Sequence, residues 1–197
     1  MRRSGVCEQT SPLSQFTEQS PFLFKQKAQA VLFTEIGLFT VPKEQDREYL
    51  KSIGFIDRQQ QLSICSHEVV QLASENALEI LDELSKPISY QQAFDALCSV
   101  DGDFLGVHQA FLALRKQGWI VKDGTKFACD LVAYPGSPLL FHSSFCVFVK
   151  RNEIEWKELQ LRNRVAAQVR KTLLLYEPQS QKFIRVARWI PEENRNQ

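Results

Sequence analysis

Long apolar runs, clustered cysteines and the common catalytic signatures are missing from this chain, and each absence removes a class of function. No stretch approaches the ~18 uncharged apolar residues that a membrane-spanning helix needs, and Met1-Arg2-Arg3-Ser4-Gly5 is not followed by the apolar core of a signal peptide. A soluble, intracellular protein with no membrane partner is expected. The five cysteines, Cys7, Cys65, Cys98, Cys129 and Cys146, are odd in number, scattered and without a Cys-x-x-Cys pair. That spacing argues against a disulfide framework and a zinc site, and predicts reduced, mostly buried thiols. There is no Gly-rich phosphate loop, no Gly-x-Ser-x-Gly elbow and no His-Glu-x-x-His helix. Nucleotide-dependent, esterase and zinc-protease chemistries therefore fall away. The chain shows no internal repeat.

What is there is enough apolar material for real cores. Of 197 residues, 44% are hydrophobic, sufficient for one large domain or two small ones, and two are expected. Residues 1–20, rich in Ser, Gln and Thr, read as a mobile tail. Residues 21–100 read as a small α+β domain and residues 101–197 as an α/β domain, divided at the Asp101-Gly102-Asp103 turn. In the first, Phe22 to Val41, broken by Gly37, suggests a hairpin or meander. Pro42 sits where a helix can begin, Glu44, Asp46 and Glu48 suit its first turns, and Gly54 is placed to end it. Ser66 is a candidate cap for a helix in which Val69, Val70, Leu72, Ala73, Ala77, Ile80, Leu81 and Leu84 recur near the helical period until Pro87. Ser89-x-x-Gln92 has capping-box spacing ahead of a third helix carrying Ala93, Phe94 and Leu97.

In the second half, Phe104, Val107, His108, Phe111, Leu112 and Leu114 predict a helix that Gly118 terminates. Trp119-Ile120-Val121 begins a strand, and Asp123-Gly124 turns the chain. Phe127 to Tyr134 and Phe141 to Val149 read as two strands apolar enough to lie centrally in a sheet. Trp156, Leu159, Arg162/Asn163, Ala166 and Val169 keep helical spacing, and Thr172 to Tyr176 and Phe183 to Ile190 read as the last two strands. The expected architecture is a mixed sheet flanked by two helices.

Charge is divided as well. The net charge is +1, but residues 1–100 carry 9 Lys and Arg against 13 Asp and Glu, and residues 101–197 carry 15 against 10. The basic half is the better contact for a polyanion. Within it Arg162, Arg164, Arg170, Lys171, Lys182, Arg185 and Arg188 are opposed only by Glu177, a pattern that also fits a solvated basic face. Of the three histidines, His67 lies at an expected helix start and His108 inside an amphipathic helix, which suits structural roles. His142 differs. A strand that ends at Tyr134, reverses through Pro135-Gly136-Ser137-Pro138 and resumes at His142 places a phenol and an imidazole on one rim. Lys171, further on, would complete a triad.

The runs Gly118-Trp119-Ile120-Val121, Lys126-Phe127-Ala128-Cys129-Asp130-Leu131-Val132-Ala133-Tyr134-Pro135-Gly136-Ser137-Pro138 and His142-Ser143-Ser144-Phe145 resemble the catalytic domain of tRNA-splicing endonucleases. The resemblance continues in order through Asn163-Arg164-Val165-Ala166-Ala167-Gln168-Val169-Arg170-Lys171-Thr172-Leu173-Leu174-Leu175 and Arg188-Trp189-Ile190-Pro191, over about residues 104–193. The N-terminal half is similar to the family's small α+β domain. For the fold, the resemblance implies a restriction-endonuclease-like C-terminal domain. The ending Arg188-Trp189-Ile190-Pro191-Glu192-Glu193-Asn194-Arg195 leans toward the eukaryotic subunit that cuts the 5′ splice site. Tyr134-Pro135-Gly136-Ser137-Pro138 and Val169-Arg170-Lys171-Thr172-Leu173-Leu174-Leu175 lean toward the 3′-cutting one.

What the resemblance implies is a triad of Tyr134 as general base, His142 as general acid and Lys171 as transition-state stabiliser. The implied reaction is attack of an RNA 2′-hydroxyl on its own phosphate, giving a 2′,3′-cyclic phosphate and a 5′-hydroxyl with no metal and no cofactor. Histidine, with an ordinary pKa near ~6.5, suits the acid. Tyrosine, near ~10, serves as a base where a cation such as Lys171 favours phenolate. Arg164 and Trp189 match positions that sandwich an extruded bulge base in the opposite subunit, by cation–π and stacking contacts. The implied partners are precursor tRNA with bulged intron–exon junctions and either other endonuclease subunits, in a hetero-oligomer such as a tetramer, or copies of this chain. A eukaryotic source would place it in the nucleus, with the cytoplasm as the alternative. Two rivals stand beside this: a non-catalytic structural subunit of the same assembly, and a Mg²⁺-dependent nuclease using Asp130 with Glu155 and Lys157.

Overall fold

The computed structural model describes residues 27–52, 63–138 and 140–187, which form two five-stranded mixed sheets with five helices. The tail at 1–20, Gly54 and Trp189 lie outside the described residues.

The first sheet takes the order β3-β2-β1-β4-β5. Strand β1 (Ala28–Phe33) and β2 (Leu38–Thr40) form the expected hairpin, turned at Gly37, whose φ of 62° suits glycine. Helix α1 (Glu44–Ser52) begins two residues after Pro42, with Glu44 and Asp46 in its first turn. Strand β3 (Ser63–Ile64) pairs with β2. The next element corrects the sequence reading: α2 spans only Ser66–Ser74, and the segment expected to prolong it is strand β4 (Leu78–Leu81), parallel to β1. The break is made at Asn76, which takes the left-handed conformation at φ 57°. The Ala77 and Asn76 amides then close back onto the Leu72 and Ala73 carbonyls. Ser66 is not the cap either. Cys65 holds that position, and the Ser66 hydroxyl instead donates to the Gly37 carbonyl at 3.0 Å. After β5 (Pro87–Ile88), α3 (Tyr90–Val100) carries the full capping box between Ser89 and Gln92.

The second sheet, ordered β10-β9-β8-β7-β6, is entered through α4 (Phe104–Lys116) and closed off by Gly118 at φ 85°. Strand β6 (Ile120–Asp123) leads to a 3-10 turn (Thr125–Phe127) and then to β7 (Leu131–Tyr134), with β8 (Phe145–Val149) beside it. Both central strands are shorter than expected. The segment 127–130 cannot extend, because Ala128 is left-handed and the amides of Phe127 and Cys129 fold back to the Gly124 carbonyl. Residues 141–144 belong to the loop, so the strand resumes at Phe145 and not at His142. Helix α5 (Trp156–Gln168) crosses over to β9 (Thr172–Glu177), which runs parallel to β8, and β10 (Lys182–Val186) forms the edge.

Apolar side chains alternate between the two faces of this second sheet. Leu131, Ala133, Val147, Val149, Leu174 and Tyr176 pack with α4. Val132, Cys146, Phe148, Leu173 and Leu175 pack with the Ala166 side of α5. Trp156, read as part of that helical face, stands 69% exposed instead.

The first sheet meets α4 through an aromatic seam. The His67 ring stacks on Phe104 at 4.5 Å and on His108 at 5.6 Å, with Phe94 edge-on to Phe104. The Nδ1 atoms of His67 and His108 are buried with no hydrogen-bond partner among the described residues. Burial holds both rings neutral, lowering His67 to about 3, with His108 as a secondary cause, and His108 to about 4. A buried ion pair, Lys122 to Glu68 at 2.6 Å, ties the same two regions. Burial raises Glu68 to about 7 against the pull of Lys122.

Candidate functional site

Strand register decides which residues share a rim. Tyr134 ends β7 opposite Ile120, Ala133 faces Phe145 at the start of β8, and Phe145 is level with Thr172 at the start of β9. The C-terminal end of β7 and the N-terminal ends of β8 and β9 therefore lie together. Two backbone hydrogen bonds lock them there: the Ser144 amide to the Ala133 carbonyl at 2.8 Å, and the Thr172 amide to the Ser144 carbonyl at 2.9 Å. Tyr134, His142 and Lys171 are thus delivered to one rim by three different strand ends.

Each is positioned differently. Tyr134 is half-buried at its strand terminus, and His142 is exposed in the loop between half-exposed Phe141 and buried Ser143. That loop is closed by the Leu140 and Phe141 amides, which both donate to the Ser137 carbonyl at 2.9 Å. Gly136 lets the Phe141 ring pack close: a Cβ on it would stand 2.8 Å from that ring and push it aside. Lys171 is set by the end of α5. Arg170 takes a left-handed φ of 55°, and the Lys171 and Arg170 amides return to the Ala166 and Ala167 carbonyls. This turn sends the lysine side chain back over the rim. Its Nζ donates to the Ser143 carbonyl at 3.4 Å and lies 4.4 Å from the centroid of the Phe127 ring.

Phe127 and Ser143 are contributors that the sequence did not single out. In sequence Phe127 reads as part of a strand, which would send its ring to a sheet face; Ser143 acts through its backbone, which carries no residue signal. Beneath the rim, Cys146 and Cys129 form a thiol pair. The Cys146 thiol is drawn below the usual range by its hydrogen bond to Cys129 and, after burial works against it, by the charge of Lys171. Cys129 is pushed up by the same hydrogen bond and by burial.

The basic residues do not act as one face. Arg162 is occupied by packing, its guanidinium 4.5 Å above the Phe148 ring and paired with Glu158. Arg164, Arg170, Lys182 and Arg185 remain exposed. Arg164 lines a groove of about 750 Å³ on the outer side of α5, with Trp156, Leu159, Gln160, Asn163 and Val186. The proposed Mg²⁺ ligands are not arranged as such. The Asp130 carboxylate accepts from the Val149 amide at 2.8 Å and from Arg151 at 2.8 Å, while Glu155 and Lys157 are exposed at the start of α5. Among the described residues no three His, Cys, Asp or Glu side chains gather as a metal site would need, and no helix is long and apolar enough to cross a membrane.

Residues 108–186 match the family described as tRNA intron endonuclease, catalytic C-terminal domain. The protein named "Probable tRNA-splicing endonuclease subunit sen2" of Schizosaccharomyces pombe is 35% identical over 100 residues, which are 47% of this chain and 26% of that protein. The tRNA-splicing endonuclease subunit Sen2 of Mus musculus is 28% identical over 100 residues, 46% of this chain and 22% of its own length. A tRNA-splicing endonuclease of Saccharolobus islandicus is 26% identical over 152 residues, 68% of this chain and 82% of the archaeal one. The chain therefore spans about a quarter of the length of its eukaryotic relatives and most of the archaeal protein.

Proposed function

We propose that this chain, whose residues 108–186 match the tRNA intron endonuclease catalytic-domain family, is an RNA-cleaving subunit that cuts precursor tRNA at an intron–exon junction. The observation that carries the reading is the rim itself: three residue types suited to moving two protons and neutralising one charge, brought from three strand ends, with the Lys171 ammonium on the carbonyl next to His142. In this reading Tyr134 removes the proton of the attacking 2′-hydroxyl. His142, exposed and therefore open to substrate, protonates the departing 5′-oxygen. Lys171 offsets charge on the five-coordinate phosphorus. The products are a 2′,3′-cyclic phosphate and a 5′-hydroxyl.

Arg164 extends the reading to a bulge base. Arg164 lines an open groove, and with Trp189, which lies outside the described residues, it is assigned here to sandwich a base held against the opposite subunit's site. Such clamping requires an oligomer, either of copies of this chain or with other endonuclease subunits. Recognition then rests on the shape of a bulged helix, as is usual for RNA.

The test is incubation of the purified chain with intron-containing precursor tRNA in EDTA, beside His142→Ala and Lys171→Ala, with the product ends determined. Cyclic-phosphate ends from the unaltered chain, and a loss of at least ~100-fold in each variant at unchanged thermal stability, are expected. Cleavage that needs Mg²⁺ and ignores the histidine change would sink the proposal. Activity that returns only on adding the relatives' companion subunits would assign the chain to a hetero-oligomer.

A further inference from the structure

We infer that Phe141 is a stacking platform for the base on the 3′ side of the cleaved bond. The inference rests on the proposed RNA-cleaving reading and adds a substrate-binding residue to it. Phe141 is 48% exposed and stands at the rim beside the exposed His142. It is not loosely held. Its amide donates to the Ser137 carbonyl, and its ring packs closely on Gly136, where an added Cβ would stand 2.8 Å from the ring. The ring thus rests against Gly136, and about half of the residue is open to solvent. An aromatic already seated against backbone has less rotamer freedom to lose on stacking than a free one.

Position adds the chemistry. Phe141 directly precedes His142, and Ser143 directly follows, held by Lys171. If His142 protonates the departing 5′-oxygen, that oxygen belongs to the nucleotide on the 3′ side of the bond. The nearest exposed π face to the imidazole along the chain is then available to that nucleotide's base. Stacking accepts any base, because every base has a π face. The platform therefore aligns the leaving nucleotide without reading its identity, which suits a junction recognised by shape.

The experiment uses the full chain and a precursor tRNA carrying 2-aminopurine, whose fluorescence is quenched by stacking, either on the 3′ or on the 5′ side of the cut bond. A 2′-deoxy sugar at the attacking position keeps the RNA intact during the measurement; cleavage is followed separately with the all-ribose form. Quenching is expected at the 3′ probe with the unaltered chain and with Phe141→Tyr, and is lost in Phe141→Leu, which keeps an apolar contact on Gly136. The leucine variant should lose ~5- to ~100-fold in kcat/KM, with the tyrosine variant close to the unaltered chain. Equal quenching and cleavage by Phe141→Leu, or quenching confined to the 5′ probe, overturns the platform and leaves the cleavage reading standing. Quenching at the 3′ probe with no cleavage of the ribose form, even after the relatives' companion subunits are added, keeps the platform and overturns the cleavage reading. Absence of both overturns both.

Discussion

The two sheets of this protein are covered differently, and the difference explains where chemistry can be placed. Along β1 burial alternates, with Ala28, Ala30 and Leu32 inside and Gln29, Val31 and Phe33 on a partly open face. Along β9 four consecutive residues, Leu173 to Tyr176, are buried because α4 covers one face and α5 the other. A sheet buried on both faces leaves its rims for contact with substrate. Tyr134, His142 and Lys171 stand on one of those rims, whereas among the described residues the first sheet gathers no comparable set of groups at its strand ends.

Core truncation is the strongest way to break that comparison. In the second sheet, Leu174→Ala and Leu175→Ala face opposite sides and should cost alike, about 2–4 kcal/mol each. In the first, Leu32→Ala should cost a similar ~2–4 kcal/mol and its neighbour Val31→Ala less than ~1 kcal/mol. Urea denaturation of the four variants tests it. A Val31 cost equal to that of Leu32 would show that the outer face of the first sheet is covered after all.

Much of this was legible in the sequence, and the errors share one cause. The capping box at Ser89 and Gln92, the glycine stop at Gly118 and the hairpin at Gly37 are local signals, and local geometry satisfies them. The run Ala77, Ile80, Leu81 and Leu84 fits a helical period and, at Leu78 and Ile80, an alternating one as well. Only the left-handed Asn76 and pairing with β1, both nonlocal or conformational, choose between them. The overlong strand at Phe127 fails similarly at Ala128. For the candidate site, Tyr134, His142 and Lys171 could be named from ordered motifs. Their convergence depends on the β7-β8-β9 register, and the Phe127 ring beside Lys171 depends on a 3-10 turn that no residue pattern announces.

Acid should act first at the seam between the two sheets. Two stacked imidazoles held neutral by burial contribute stability that is complete above the ordinary histidine pKa of ~6.5 and is lost as pH falls toward about 4 for His108 and about 3 for His67. Glu68, raised to about 7, works in the opposite direction, because its buried carboxyl is easier to keep once protonated. The cleanest reading is therefore a difference between two proteins that share Glu68. From pH 7 to pH 4.5 the unaltered chain should lose ~2 kcal/mol relative to His108→Phe, which keeps the ring stack and removes one titrating group. Parallel stability curves for the two across that range would remove the histidine stack as the acid-sensitive element of the seam.

The smallest expected effect lies at the rim itself. Arg170 occupies a left-handed position that costs a residue with a Cβ roughly 1 kcal/mol, yet this turn is what returns the chain so that Lys171 reaches the Ser143 carbonyl. Glycine would hold the same turn without the strain, whereas alanine keeps the strain and removes the charge. Arg170→Gly should therefore be more stable than Arg170→Ala by about 1 kcal/mol in thermal or urea unfolding. Because both variants lack the guanidinium, the gap between them isolates backbone conformation from electrostatics. A gap near zero would mean that the end of α5 relaxes out of the left-handed turn when it can, and that Lys171 is held over the rim by its contacts with Ser143 and Phe127 instead of by the helix terminus.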